Sequence, residues 1–365
     1  MKMFAKTVRS AFAFVLVAAL MLGVCSSPIA LAAGDFGGKT EINYVSLGDS
    51  MTNGYGFEGY DQRNETGDYD FIAGKYVYGE GSYALQFEKY LENKGYDVNH
   101  AKLAASGITP WDLLYLLGAS DYVDDGWGGW ESYVGDYTHE ELQAYFQESV
   151  AEADIITMCI GNASFGAYLV QMVTDAIGVM GSAPAVNPNL TLENGLALLE
   201  NEEAKQIVVD IYNDMKEELS AYSAVIPLDV DVDVLLDIVA YTVANFLLSY
   251  EAVLDEIIKI NPDVEIILIG IMNTTYGMTI TGEGFEFPFG DMMDNTFEAL
   301  NNYIAAVPVA KQIAGEYAEA KFYYAEQPTP EFIVQAFDDL AAAGWENIDN
   351  GRLDGQLVRQ RQLDA

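Results

Sequence analysis

Positive charge is scarce in this chain of 365 residues. It carries 17 lysines and arginines against 56 aspartates and glutamates, a formal charge of −39. Such a surface repels nucleic-acid phosphates and anionic headgroups, so no nucleic-acid partner is expected, and neutral substrates or cationic partners remain. Cysteine is almost absent: Cys25 and Cys159 are the two in the chain. If an N-terminal leader is removed, Cys159 stands alone and no intramolecular disulfide can form. An exported chain without disulfides points to a bacterial source. Also missing are internal repeats, low-complexity linkers and, beyond the N-terminus, a second apolar span. The acidic stretches Asp61 to Asp70 and Asp121, Asp124, Asp125 lack the Asp-x-Asp-x-Asp-Gly spacing of a calcium loop. They read as solvated loops, and no metal or cofactor is expected.

What is present begins with an export signature. Lys2, Lys6 and Arg9 precede an apolar run from Ala11 to Leu22, and small residues follow at Ala30, Ala32 and Ala33. This pattern reads as a signal peptide over residues 1–32, with a run too short to span a bilayer, so the expected product is secreted without stable membrane insertion. The alternative is a surface lipoprotein anchored through Cys25, although bulky Val24 precedes that cysteine. The remainder, residues 40–365, has the apolar content of a globular chain: 51% of all residues are hydrophobic and 20% charged, which excludes disorder as the main state.

Strand and helix patterns alternate along it. The apolar run Ile42 to Leu47 leads into Gly48, residues Ser82 to Lys94 have helical spacing, and Asp97 to Ala104 reads as a second strand. Thr109-Pro110-Trp111-Asp112 opens a helix, and Thr138 with Glu141 forms a capping box for another that ends near Ala153. Strands are expected again at Ile155 to Ile160 and Val264 to Ile269. The implied fold class is α/β: a three-layer α/β/α sandwich around a mainly parallel sheet, flavodoxin-like in plan. Two stretches break the rhythm. Phe57 to Gly81 reads as a Gly-, Tyr- and Asp-rich surface loop, and about 168–260 reads as a helical insertion, either added scaffold or a cap over a cleft.

The chemistry gathers at Tyr44-Val45-Ser46-Leu47-Gly48-Asp49-Ser50-Met51-Thr52-Asn53-Gly54-Tyr55-Gly56. A strand running into Gly-Asp-Ser delivers the serine to the carboxyl edge of the sheet, where open α/β folds keep their sites. The following helix start offers free N–H groups and a favourable dipole for negative charge. This stretch resembles the first block of GDSL/SGNH hydrolases, Thr52 and Gly54 included. The resemblance continues through Gly81-Ser82-Tyr83, through Ala104-Ala105-Ser106-Gly107-Ile108-Thr109, and through Ile160-Gly161-Asn162-Ala163-Ser164. It covers roughly residues 42–165 and 262–271. It implies a serine esterase or lipase with Ser50 as nucleophile, and an oxyanion hole formed by Ser50, Gly107 and Asn162. The implied substrates are carboxylic esters: short acyl esters, acetylated carbohydrate or lipid. In the Tyr- and Trp-rich loops, Trp127 and Trp130 are candidates for stacking on sugar rings or for core or loop packing, the commoner role of such residues.

Two departures stand beside the resemblance. The family's third block runs Gly, any residue, Asn, Asp, whereas Asn162 directly follows Gly161, so a one-residue shift is needed to make it the donor. The family closes with Asp-x-x-His, but Asp354-Gly355-Gln356-Leu357 has leucine where histidine is required. Only His100 and His139 exist, both upstream. His100 sits near the start of the second strand, far from Gly107, and reads as structural; His139 opens the helix before the third strand and reads as an exposed helix-start residue, the alternative being an approach to Ser50 from the active-site edge. Arg352, Arg359 and Arg361 crowd the tail, as expected of a shifted reading frame or of a chain stopping short of its histidine block. The rival readings are a lipase for longer acyl chains and a catalytically inactive domain serving as a secreted binding module.

Overall fold

The computed structural model describes residues 38–55, 57, 59, 60, 78–120, 137–177, 187–222, 232–282 and 285–325. Apart from Gly38 and Lys39, these belong to one unit, Thr40–Gln327. The leader, Cys25, Trp127, Trp130, both acidic stretches and the segment from Asp354 to Leu357 lie outside the described residues.

The chain opens with strand β1 (Glu41–Gly48), a one-turn helix α1 (Ser50–Asn53), helix α2 (Tyr83–Asn93) and strand β2 (Asp97–Ala104). Helices α3 (Pro110–Leu116) and α4 (His139–Glu152) lead to strand β3 (Ile155–Cys159). Each starts where its cap says it should: Ser82 accepts the Leu85 N–H, and Thr109 with Asp112 and Thr138 with Glu141 form reciprocal capping boxes. A π-helical turn, Ser164–Leu169, runs into α5 (Val170–Ile177), followed by α6 (Leu192–Leu198), α7 (Glu202–Tyr222) and α8 (Val232–Ile260). After strand β4 (Glu265–Ile269) come a small hairpin, β5 (Ile280–Gly282) and β6 (Phe285–Phe287), then α9 (Phe289–Met292), α10 (Asp294–Ala314) and strand β7 (Lys321–Ala325).

Five strands form one parallel sheet in the order β2-β1-β3-β4-β7, the flavodoxin-like arrangement expected from the alternating pattern. Helices cover both faces. Alternation along β1 sends Val45 and Leu47 into the large apolar core with Leu113 of α3, Phe146 of α4 and Phe246 of α8. Tyr44 and Ser46 point to the other face, where Tyr44 meets Phe87 of α2 edge-on at 5.2 Å.

Two expectations need adjustment. The helical stretch over 168–260 divides in character: α5, α6 and α7 are additions, whereas α8 is the crossover helix that feeds β4. Leu236, Val243, Leu247 and Leu254 of α8 are buried. Among the described residues it is also the one helix long and apolar enough to cross a membrane, although most of its apolar stretch is buried. Asp233, Asp237, Glu251, Asp255, Glu256 and Lys259 interrupt its ends, which is why it did not read as a continuous apolar run. Here its apolar surface is spent on α3, α4, α6 and α7. The second adjustment concerns the loop from Phe57 to Gly81: its end is not surface, because Tyr78 is buried and accepts the Ala104 N–H at 3.0 Å.

Candidate active site

Register fixes where the site lies. Gly48, the last residue of β1, is level with Ala104 at the end of β2 and with Cys159 at the end of β3. The segments after these three strands therefore leave the sheet side by side, at the switch point where α/β folds bind ligands. Hydrogen bonds tie them together: Ala105 N–H donates to Gly48 O at 3.2 Å, and Asp49 N–H donates to Cys159 O at 3.2 Å.

The bend after β1 requires glycine. Gly48 has φ +149°, and a Cβ there would collide with Cys159 O and Thr52 Oγ1. Ser50 then begins α1 while Asp49 caps it, its Oδ1 accepting the Met51 N–H at 3.0 Å. Among the described residues, neither Ser50 Oγ nor the Ser50 and Gly107 N–H groups has a hydrogen-bond partner. Gly107 takes a left-handed φ of +87°. The sequence segments holding Ser50, Gly107 and Asn162 are thus brought to one edge.

Asp49 was not assigned a role from sequence, yet it organises the site. Its Oδ2 accepts N–H groups from Gly161 at 3.1 Å, Asn162 at 2.8 Å and Ala163 at 3.4 Å. Full burial pushes its carboxyl up to about 6, partly opposed by these hydrogen bonds and the Met51 N–H. The only advance signal was the Asp between Gly and Ser, which alone reads as an ordinary cap.

Asn162 is buried. Its Nδ2 donates to Asp49 Oδ2 at 3.3 Å and Cys159 Sγ at 3.4 Å, while its Oδ1 accepts the Met272 N–H at 3.0 Å. The amide thus faces the Asp49 carboxylate through long bonds, beyond the usual 2.7–3.2 Å range. Gly161, at φ +123°, lies against the Phe246 ring where a Cβ would clash, which holds the loop close to α8. Thr52 Oγ1 completes the frame, donating to Cys159 O at 3.1 Å and meeting Tyr83 OH at 2.8 Å. That contact ties the start of α2 to the segment that carries Ser50.

Neither histidine partners Ser50. His100 Nε2 is 2.9 Å from Ser46 Oγ and its Nδ1 2.8 Å from Glu88 Oε2, and His139 Nδ1 is 2.8 Å from Tyr115 OH. His139 is half-buried rather than exposed. Among the described residues, no group of three or more His, Cys, Asp or Glu side chains converges to hold a metal ion.

No protein-family profile matches the chain, and no curated protein matches it. Similar solved structures include an active-site mutant of a family two carbohydrate esterase from Clostridium thermocellum, with 14% identity, 80% of this chain and 55% of that chain covered, and a TM-score of 0.29. An extracellular lipase from Streptomyces rimosus is similar at 16% identity over 78% of this chain and 79% of that one, with a TM-score of 0.31. The chain thus spans little more than half the length of the first.

Proposed function

We propose that the chain is an exported serine hydrolase of the GDSL/SGNH type that cleaves carboxylic esters through Ser50. The observation that carries this reading is the Ser50 hydroxyl at a helix start, which, like the N–H groups of Ser50 and Gly107 at the same sheet edge, has no hydrogen-bond partner among the described residues. In the reaction, Ser50 Oγ attacks the ester carbonyl and gives up its proton to solvent water, which returns a proton to the alcohol as it leaves. The carbonyl oxygen becomes an oxyanion that accepts from the Ser50 and Gly107 N–H groups. Asn162 Nδ2 joins them by exchanging a long bond to Asp49 or Cys159 for a short, charge-assisted one. Collapse expels the alcohol and leaves an acyl-serine, which water then releases.

A second reading is favoured by the placement of the histidines. With His100 held by Ser46 and Glu88 and His139 by Tyr115, the chain has no histidine at Ser50, as an inactive binding module would not. Hydrolysis of p-nitrophenyl acetate by the signal-free chain, beside Ser50→Ala, separates the two. Serine-dependent turnover supports the hydrolase; equal rates in both proteins sink it and leave the binding module.

A further inference from the structure

Asn162 is held from two sides, and the two ends of its amide are not interchangeable. Its Oδ1 accepts the Met272 N–H at 3.0 Å, while its Nδ2 faces the Asp49 carboxylate. Turned over, the amide would set N–H against N–H at Met272 and oxygen against carboxylate at Asp49. Whatever aims the Met272 N–H therefore also decides where Nδ2, the group an oxyanion would need, is held.

The Met272 N–H belongs to the peptide unit that begins with the Ile271 carbonyl. That unit is planar, so holding its oxygen fixes the direction of its N–H. The oxygen is held by a side chain of α10: Asn301 Nδ2 donates to Ile271 O at 2.9 Å, and Asn301 Oδ1 accepts the Ile271 N–H at 2.8 Å. One amide thus grips both polar groups of Ile271, as a paired residue in an antiparallel ladder would.

The grip has a firm base and is closely fitted. Asn301 stands between Leu300 and the pair Tyr303 and Ile304, all buried, so the core fixes its backbone. Gly270 makes room for its side chain, since a Cβ there would lie 2.7 Å from Asn301 Oδ1. The Gly270 N–H donates to Ala325 O at 3.1 Å, which ties the base of the loop to β7. A continuous chain of contacts runs from Asn301 through the Ile271–Met272 peptide to Asn162.

We propose that Asn301 is a positioning residue for the oxyanion hole: it fixes the Ile271–Met272 peptide, which in turn holds the Asn162 amide with Nδ2 on the Asp49 side. Asn301 touches no reacting atom and acts through Asn162. The link to the oxyanion rests on the hydrolase reading; the setting of the amide does not.

The test compares the native signal-free chain with Asn162→Ala, Asn301→Asp and Asn301→Ser, each Asn301 change being made also in the Asn162→Ala background. Asn301→Asp keeps an acceptor for the Ile271 N–H and loses the donor to Ile271 O; Asn301→Ser takes its place if the aspartate variant does not fold. The first readout is Ser50-dependent hydrolysis of p-nitrophenyl acetate with imidazole added as base. Asn301→Asp is expected to lower kcat about tenfold at unchanged KM, a smaller loss than the roughly hundredfold of deleting an oxyanion donor in Asn162→Ala. In the Asn162→Ala background the same change should cost nothing further, because the residue through which it acts is gone. A residue that merely anchors the loop would lower the rate equally in both backgrounds, and that result overturns the proposal.

The second readout needs no turnover. Nuclear magnetic resonance of protein carrying isotopically labelled asparagine identifies the Asn162 side-chain N–H pair as the one lost in Asn162→Ala. That pair should shift, and exchange faster with water, in Asn301→Asp; an unmoved pair overturns the proposal whatever the rates. A moved pair with no Ser50-dependent turnover removes the hydrolase reading and leaves the amide set by Asn301. Ser50-dependent turnover with equal losses in both backgrounds removes the role of Asn301 and leaves the hydrolase reading.

Discussion

His100 Nε2 lies 2.9 Å from Ser46 Oγ, and on the other side of the ring Nδ1 lies 2.8 Å from Glu88 Oε2. Acid, imidazole and serine stand in the order of a hydrolase triad, but in the wrong place, because Ser46 is fully buried inside β1. Burial holds the His100 pKa below its ordinary value, opposed by Glu88. The neutral ring bridges β1, β2 and α2, stacked on Tyr44 at 4.2 Å.

His100→Ala is therefore expected to destabilise the fold by about 2–4 kcal/mol, through a cavity and two stranded polar groups. It should leave esterase turnover per folded molecule intact. Because the folded pKa is depressed, the unfolded chain takes up a proton first as pH falls below about 6.5, so this residue's contribution is lost on acidification. Urea melts at pH 7 and pH 5 check this; a variant as stable as the native chain, or folded yet selectively inactive, contradicts the structural role.

Asp49 has the opposite sign. Its folded pKa of about 6 lies above the ordinary aspartate value, so the folded state binds the proton more tightly. Its contribution is full below about pH 4 and falls as pH rises through 6, by on the order of 2–3 kcal/mol. Asp49→Asn should be less stable throughout, since an amide N–H would face the N–H groups of Gly161 and Asn162, but it should lack this pH slope. Equal slopes in native and variant melts would refute the assignment.

Added imidazole should accelerate ester hydrolysis by the native chain beyond its background effect on the ester, because Ser50 Oγ has no partner among the described residues. The gain should saturate and vanish in Ser50→Ala. A rate rising equally in both proteins would mean that the serine takes no part.

Gly48→Ala should abolish or severely reduce soluble expression, with a loss of about 3 kcal/mol or more if the protein can be purified. The new methyl would have to displace the Cys159 carbonyl and the Thr52 hydroxyl, both fixed by other bonds. Thermal melting of any purified variant gives the magnitude, and a native-like midpoint would be the contrary result.

Much of this arrangement is legible in the residues themselves. The strands up to β4 and the caps at Ser82, Thr109 and Thr138 follow from local pattern, since each depends on contacts a few residues apart. The edge strand β7 was missed: it is five residues long, and its Lys321 is exposed and Tyr323 half-buried, so no apolar run announces it. Helix α10 was missed as well, with Pro308 sitting inside it. At the site, the proximity of Ser50, Gly107 and Asn162 was carried by motif resemblance. The Asp49 clamp was not, because it joins residues 112 to 114 positions apart and no local pattern encodes such a partner.

That separation bears on how the protein forms. Strand β1 is made before both of its neighbours, β2 and β3, so both its edges are satisfied only after Cys159 has been made. Parallel pairing over such distances closes large loops before any reward, which slows folding and leaves a bare, apolar strand edge in the meantime. A nascent chain cut before Ile155 would present β1 with one open side, ready to pair with a neighbour. The segment that leads into Ser50 is thus also one exposed to mispairing during synthesis, and its protection falls to chaperones or to holding the chain unfolded until β3 has been made.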